Sequence, residues 1–260
     1  MSTLLFFHAH PDDEAISTAG TMRLASRAGH RVVLVVATRG ELGEGPHQEA
    51  DLAGVRSAET RAAAEVLGVA RVEFLGYRDS GMAGDVNNTD PRSFWQADVE
   101  EAATRLDDVI EEELPAVLVV NDEHGGYGHP DHIQVHRVGH RAAHLTGVER
   151  VYEVTLNRDR LREPIAHARS AGRDEGDGTD VESLGMPDAV ITTAVDVTGE
   201  LVAKRAAMEA HASQIDQDSW FLSLPPDAFA AAFGTEWYIQ VAPPFVGHPI
   251  GDREVGLLPE

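Results

Sequence analysis

Arg31-Val32-Val33-Leu34-Val35-Val36-Ala37 is an unbroken, largely β-branched apolar run of strand length. A strand wetted on one side alternates polar with apolar residues. This one does not, which predicts burial on both faces, as in a parallel sheet covered by helices. Working outward, similar runs recur at Leu4–Phe7, Val72–Leu75, Ala116–Val120, Val151–Leu156, Val190–Val195 and Trp237–Val241. Helical patterns lie between them. Val99, Ala102, Ala103, Leu106, Val109, Ile110 and Leu114 share one face at spacings of three and four, opposite Asp and Glu. Arg56–Leu67, closed by Gly68, and Thr198–Ala212 read as helices of the same kind. Strand alternating with helix implies right-handed crossovers. The expected class is therefore α/β, a Rossmann-like sandwich whose mostly parallel sheet carries helices on both faces. Gly40–Gly54 and Ser170–Gly185, rich in Gly, Asp and Glu, interrupt the alternation and read as long surface loops.

With 260 residues the chain suits one domain. We expect residues 1–156 to form the sandwich core and 157–260 to complete its pocket. Acidic residues number 44 against 21 basic ones, a net charge of -23, and Lys204 is the single lysine. This balance argues against nucleic acid and anionic membrane as partners, since both demand a positive footprint. Nor does any run approach the roughly 18 apolar residues that span a bilayer. The start Met1-Ser2-Thr3 passes straight into an apolar run, with neither the basic stretch nor the long apolar core of a secretory signal. The cytoplasm is the expected location, and a homo-oligomer is compatible with all of this. Cysteine is absent while histidines number 13, so any metal must be held by nitrogen and oxygen.

In open α/β sheets the ligand site lies beyond the carboxyl ends of the strands. Two unusual clusters fall there: His8-Ala9-His10-Pro11-Asp12-Asp13-Glu14 and Gly125-Gly126-Tyr127-Gly128-His129-Pro130-Asp131-His132. His10, Asp13 and His132 together would make a two-histidine, one-carboxylate set. It suits a catalytic Zn²⁺ with an open position for water, or an Fe²⁺ facial triad. Asp12, beside a ligand yet free, is placed for a general base. His129 is placed for an acid or an oxyanion stabiliser, with Tyr127 offering a further hydroxyl. A plainer alternative is that Asp-Asp-Glu caps a helix N-terminus.

The pairing of Ala9-His10-Pro11-Asp12-Asp13-Glu14 with Gly128-His129-Pro130-Asp131-His132 resembles the PIG-L/LmbE family of metal-dependent N-deacetylases. The resemblance covers roughly residues 3–156 well and the remainder loosely. It implies removal of an N-acetyl group from a small-molecule GlcNAc-type amino-sugar conjugate, with Zn²⁺ as cofactor and Fe²⁺ as the other candidate. It also implies His10, Asp13 and His132 as metal ligands, Asp12 as base, His129 as electrophile and Asp131 as the carboxylate orienting a histidine. Tyr77-Arg78-Asp79-Ser80-Gly81-Met82 resembles the substrate loop of the mycothiol branch, which implies substrate contacts from Asp79, Ser80 and Met82. Arg56 resembles an arginine that binds the polar end of the substrate, and Tyr127 a tyrosine beside the scissile amide. His211-Ala212-Ser213-Gln214 resembles a late stretch of the same branch. Ser17 stands where the conjugate-cleaving amidases of that branch carry lysine, which favours a sugar deacetylase. A mycothiol-conjugate amidase, an antibiotic-tailoring deacetylase and a hydratase of small unsaturated dicarboxylates remain alternatives on this scaffold.

Overall fold

A computed structural model describes residues 1–45, 50–170, 180–220, 222–246 and 252–258. Seven strands form one sheet: β1 (Thr3–His8), β2 (Arg31–Thr38), β3 (Arg71–Tyr77), β4 (Val117–Asn121), β5 (Arg150–Thr155), β6 (Thr193–Asp196) and β7 (Thr235–Ala242). Their order across the sheet is β3-β2-β1-β4-β5-β7-β6. The first five run parallel, with Phe6 opposite Leu34 on one side and Val119 on the other. β7 runs antiparallel to both β5 and β6. Each of the seven apolar runs overlaps a strand, and the class is the expected α/β sandwich.

Between the strands lie α1 (Asp13–Ser17), α2 (Ala19–Arg27), α3 (Leu52–Leu67), α4 (Val99–Glu113), α5 (Gly125–Gly128), α6 (Pro130–Thr146), α7 (Arg158–Ser170), α8 (Leu201–Ala210) and α9 (Pro226–Phe233). Two cores result, one on each sheet face. Leu4, Phe6, Val32, Leu34 and Val36 point to one, with Met22, Met208 and Phe229 from the helices. Leu5, Phe7, Val33, Val35 and Ala37 point to the other, against Leu106 and Ile110 of α4 and Val135 and Val138 of α6. Period-two alternation in an all-apolar strand is how one run serves two cores.

Some boundaries depart from expectation. The loop expected over Gly40–Gly54 ends early: Asp51 accepts a hydrogen bond from Gly54 N at 3.0 Å and starts α3 at Leu52. That cap outweighs the poor helix propensity of Gly54. Residues 46–49 lie outside the described residues, as do 171–179 of the second expected loop, whose first residue Ser170 still belongs to α7. Val190 precedes β6 in a short 3₁₀ turn rather than opening the strand.

Strand order 3-2-1-4-5 places the topological switch between β1 and β4, so both His-Pro-Asp clusters leave the sheet at its crevice.

Candidate active site

The turn after β1 is held in an unusual backbone shape. Asp12 has φ 91°, a region costly for any residue but glycine and best tolerated by Asp and Asn. Its amide donates to Glu14 Oε2 at 3.1 Å, while His10 N donates to Asp13 Oδ2 at 2.8 Å. Arg56, almost wholly buried on α3, donates to the carbonyl oxygens of Pro11 and Gly40 at 2.6 Å each and lies 3.2 Å from Asp12 Oδ2. Asp12 thus has its backbone fixed from two sides and its carboxylate aimed by a guanidinium.

The turn after β4 approaches from across the switch point. Gly125 has φ 62°, and a Cβ there would stand 2.6 Å from His132 Cβ, so only glycine lets this turn fold against α6. His129 caps α6, its Nδ1 accepting from Asp131 N at 3.1 Å. That bond fixes the tautomer: Nε2 carries the proton and remains a donor. Burial, then the neighbouring His10 and His132, pull the His129 pKa down to about 3, so its ring is neutral at pH 7.

Three donors converge between the turns. His10 Nδ1 lies 3.3 Å from His132 Nε2, His132 Nε2 lies 3.3 Å from Asp13 Oδ1, and His10 Nδ1 lies 3.7 Å from Asp13 Oδ2. Ligands at zinc bond lengths of 2.0–2.2 Å, arranged tetrahedrally, stand about 3.3–3.6 Å apart, so this set fits a small divalent cation. A ring nitrogen of His129 also falls within 4.8 Å of those of His10 and His132. His10 Nε2 faces away, 3.1 Å from Asp131 Oδ2 and 3.6 Å from Asp79 Oδ1. Donation to Asp131 leaves the Nδ1 lone pair toward the other donors, the usual carboxylate support of a ligating histidine.

Charge at this point is unbalanced. Burial works against the Asp13 carboxylate, but His132 and His10 hold its pKa well below the ordinary range. Asp79, likewise buried, is drawn down by His10. Burial opposes a charged His10, yet the bonds to Asp131 and Asp79 carry its pKa well above the ordinary value. Asp12 goes the other way: burial raises it to about 6 against the pull of Arg56. Tyr127 sits at the rim with its hydroxyl 3.4 Å from His132 Nε2. Loss of solvation at that hydroxyl, then Asp13, Asp12 and Asp79, keep the phenol protonated.

The remaining expected contacts divide. Ser80 is fully buried. Its amide donates to Asp131 Oδ2 at 2.9 Å, its hydroxyl donates to Asp131 Oδ1, and the same hydroxyl accepts from Trp95 N. Those bonds commit Ser80 to orienting Asp131 rather than to a substrate. Arg56 is occupied in the same way beneath the first turn. Asp79 accepts from Gly81 N at 2.8 Å and Leu42 N at 3.3 Å while keeping lone pairs free. Met82 is half exposed.

Two participants are given no role of their own in the sequence reading. Asn121, ending β4, has its side-chain amide 3.0 Å from His132 Nδ1, and its Oδ1 is otherwise without a partner. With the amide turned so that Oδ1 faces the ring, Nδ1–H donates and Nε2 keeps its lone pair toward His10 and Asp13. Glu14 is the other. His211, just after α8, places Nε2 2.6 Å from its Oε1, both side chains fully buried. Ser213 then donates to Glu59 of α3, and a Cβ on Gly45 would stand 1.7 Å from the Ser213 carbonyl. The 211–214 stretch therefore braces both the β1 turn and the 40–45 loop.

Residues 5–143 match the model of the PIG-L family, described as GlcNAc-PI de-N-acetylase. The chain is 44% identical to the 1D-myo-inositol 2-acetamido-2-deoxy-alpha-D-glucopyranoside deacetylase of Acidothermus cellulolyticus, over 96% of this chain and 91% of that one. Among solved structures it resembles the N,N'-diacetylchitobiose deacetylase of Pyrococcus horikoshii, with TM-score 0.61, 22% identity, and 93% and 84% of the two chains covered. It also resembles the 4-carboxy-2-hydroxymuconate hydratase GalB of Pseudomonas putida, with TM-score 0.58, 19% identity, and 95% and 99% covered. These two structural likenesses show the shared fold alone. Family match, full-length identity and the two His-Pro-Asp turns agree: the chain belongs to the PIG-L family.

Proposed function

We propose that this chain hydrolyses the N-acetyl group of a small GlcNAc conjugate, with a zinc ion held by His10, Asp13 and His132. The observation that carries the reading is the triangle of donors 3.3–3.7 Å apart, with Asp12 beside it and fixed by Arg56. When bound there, the metal supplies an acidified water at neutral pH and a Lewis acid for the acetyl carbonyl. Asp12 takes the proton from the attacking water and delivers it to the departing amine. The neutral His129 ring donates Nε2–H to the carbonyl oxygen as negative charge develops on it, and Tyr127 adds a second donor at the rim. Asp131, held by Ser80, keeps His10 in the ligating tautomer. Asp79 accepts a hydroxyl of the sugar, and Met82 borders the sugar's outer face.

Inositol is the aglycone we favour, because the Acidothermus relative named above carries it in its substrate. The hydratase likeness is one of fold, and no feature of the crevice favours enoate hydration over amide hydrolysis.

Release of acetate and free amine should be measured over GlcNAc-inositol, GlcNAc-malate, N,N'-diacetylchitobiose and GlcNAc, with protein reconstituted separately with Zn²⁺ and Fe²⁺. The expected result is one acetate per amine, fastest with GlcNAc-inositol and zinc. No amine from any of the four, with hydration of an unsaturated dicarboxylate instead, would overturn the reading.

A further inference from the structure

Helix α6 carries His132, His136, His140 and His144 at four-residue intervals, so the four share one face. Only His132 belongs to the crevice. The next two meet Glu153, which rises from β5 beneath them. His140 Nε2 lies 2.8 Å from Glu153 Oε1, and His136 Nδ1 lies 3.3 Å from the same oxygen. The two rings are 4.4 Å apart, inclined at 58°. One donor atom from each of the three residues falls within 4.8 Å of the others. The carbonyl oxygen of Asn121 stands 3.2 Å from His136 Nδ1, which puts a fourth donor atom beside the group.

We propose that His136, His140 and Glu153 form a second divalent-metal site, selective for the zinc class, on the opposite side of Asn121 from the crevice. Two histidines one turn apart on a helix, with a carboxylate from a neighbouring element, are a donor set used for zinc and for other borderline cations. The 3.3 Å separation equals that of ligands sharing one such ion, and the 2.8 Å hydrogen-bonded pair has to open by about 0.5 Å to admit it. Glu153 is buried, which disfavours its charge, yet the two imidazoles hold its pKa below the ordinary range and keep it an anion. Without a cation, His140 Nε2–H donates to that anion, while His136 Nδ1–H donates to the Asn121 carbonyl oxygen and stays 3.3 Å from the carboxylate. A bound cation takes the place of those ring protons, and each ring turns a nitrogen lone pair toward it. Entry is open: the side chains of His136 and His140 are 23% and 33% exposed. His140 and His144 also line a surface cavity of about 440 Å³.

Metal content decides the matter. Chelator-stripped full-length protein should be saturated with Zn²⁺, freed of excess by gel filtration and analysed for zinc per chain, alongside His140→Ala and His132→Ala. The proposal predicts two equivalents in the wild type and one in each variant, with Glu153→Gln matching His140→Ala. Acetate release by His140→Ala should stay within about twofold of wild type, because its donors lie outside the crevice. If the wild type holds one zinc that His132→Ala loses and His140→Ala keeps, the second site is refuted and the crevice reading stands. If instead the single zinc is lost from His140→Ala and kept by His132→Ala, the second site stands and the crevice reading fails. Should His140→Ala not fold, His136→Gln gives the same readout.

Discussion

Buried charge is handled differently at the crevice and beside β7. In the crevice, three buried carboxylates (Asp13, Asp79 and Asp131) crowd around His10 and His132, Asp12 sits beside them on Arg56, and His129 is neutral. Beside β7 a single carboxylate, Glu236, has its donors matched. It accepts from Gly20 N and Thr21 N at the start of α2, from the Thr21 hydroxyl, from the Tyr238 hydroxyl and from Lys204 Nζ at 2.5 Å. The only lysine of a chain with net charge -23 is spent on that one buried acid. A matched buried charge ties α2, α8 and β7 together and becomes costly only when one partner is removed. An unmatched one has functional consequences, since its surplus negative charge suits a cation.

Breaking the contrast at the crevice should give the largest effect. Removing metal with a chelator should lower deacetylation by at least about 10³-fold, restored by Zn²⁺, because Lewis-acid and water activation are each worth several kcal/mol. Unchanged turnover in demonstrably metal-free protein would remove the asymmetry. Beside β7, Lys204→Met leaves Glu236 buried without its cation. We expect a loss of about 3–5 kcal/mol and a melting temperature lower by roughly 10 °C, with turnover per folded molecule nearly unchanged. Thermal unfolding followed by circular dichroism, beside a single-turnover assay, reads both.

His211→Ala tests the strut that joins the two regions. Removing the partner of the Glu14 carboxylate loses a charge-assisted bond worth about 1.5–3 kcal/mol. Part of that loss should appear as a roughly tenfold drop in kcat with KM little changed, as the Asp12 turn loosens. A melting-temperature change alone would make His211 purely structural. The smallest effect belongs to the half-buried pair of Arg31 with Glu113, 2.6 Å apart, because Arg71 stays beside the same carboxylate. Arg31→Ala should cost about 0–1 kcal/mol at low salt and less in high salt. Arg31 holds the Glu113 pKa below the ordinary carboxylate value. Its contribution is therefore present at neutral pH and lost as pH falls below that value, so wild type and variant should converge in acid.

The strands were legible because each is an apolar run long enough to cross the sheet, and the β1 and β4 turns because their ligands sit within a few residues. Apolar continuity reports burial on two faces but not direction, so the antiparallel turn at β7 left no mark in the sequence. The cap that starts α3 was present as Asp51, yet the glycines around it read as loop. In the crevice, what escaped depends on distant partners: Arg56 under Asp12, His211 on Glu14, and the Asn121 amide on His132. Ser80 shows the converse. Its neighbours resemble a substrate loop, while folding turns its hydroxyl onto Asp131.

The central claim is that Asp12 acts as the base beside a metal it does not bind. Asp12→Asn should keep its metal content and melting temperature while kcat for acetate release falls by about 10²–10⁴-fold. Turnover within a few-fold of wild type, or loss of the metal along with activity, would contradict it.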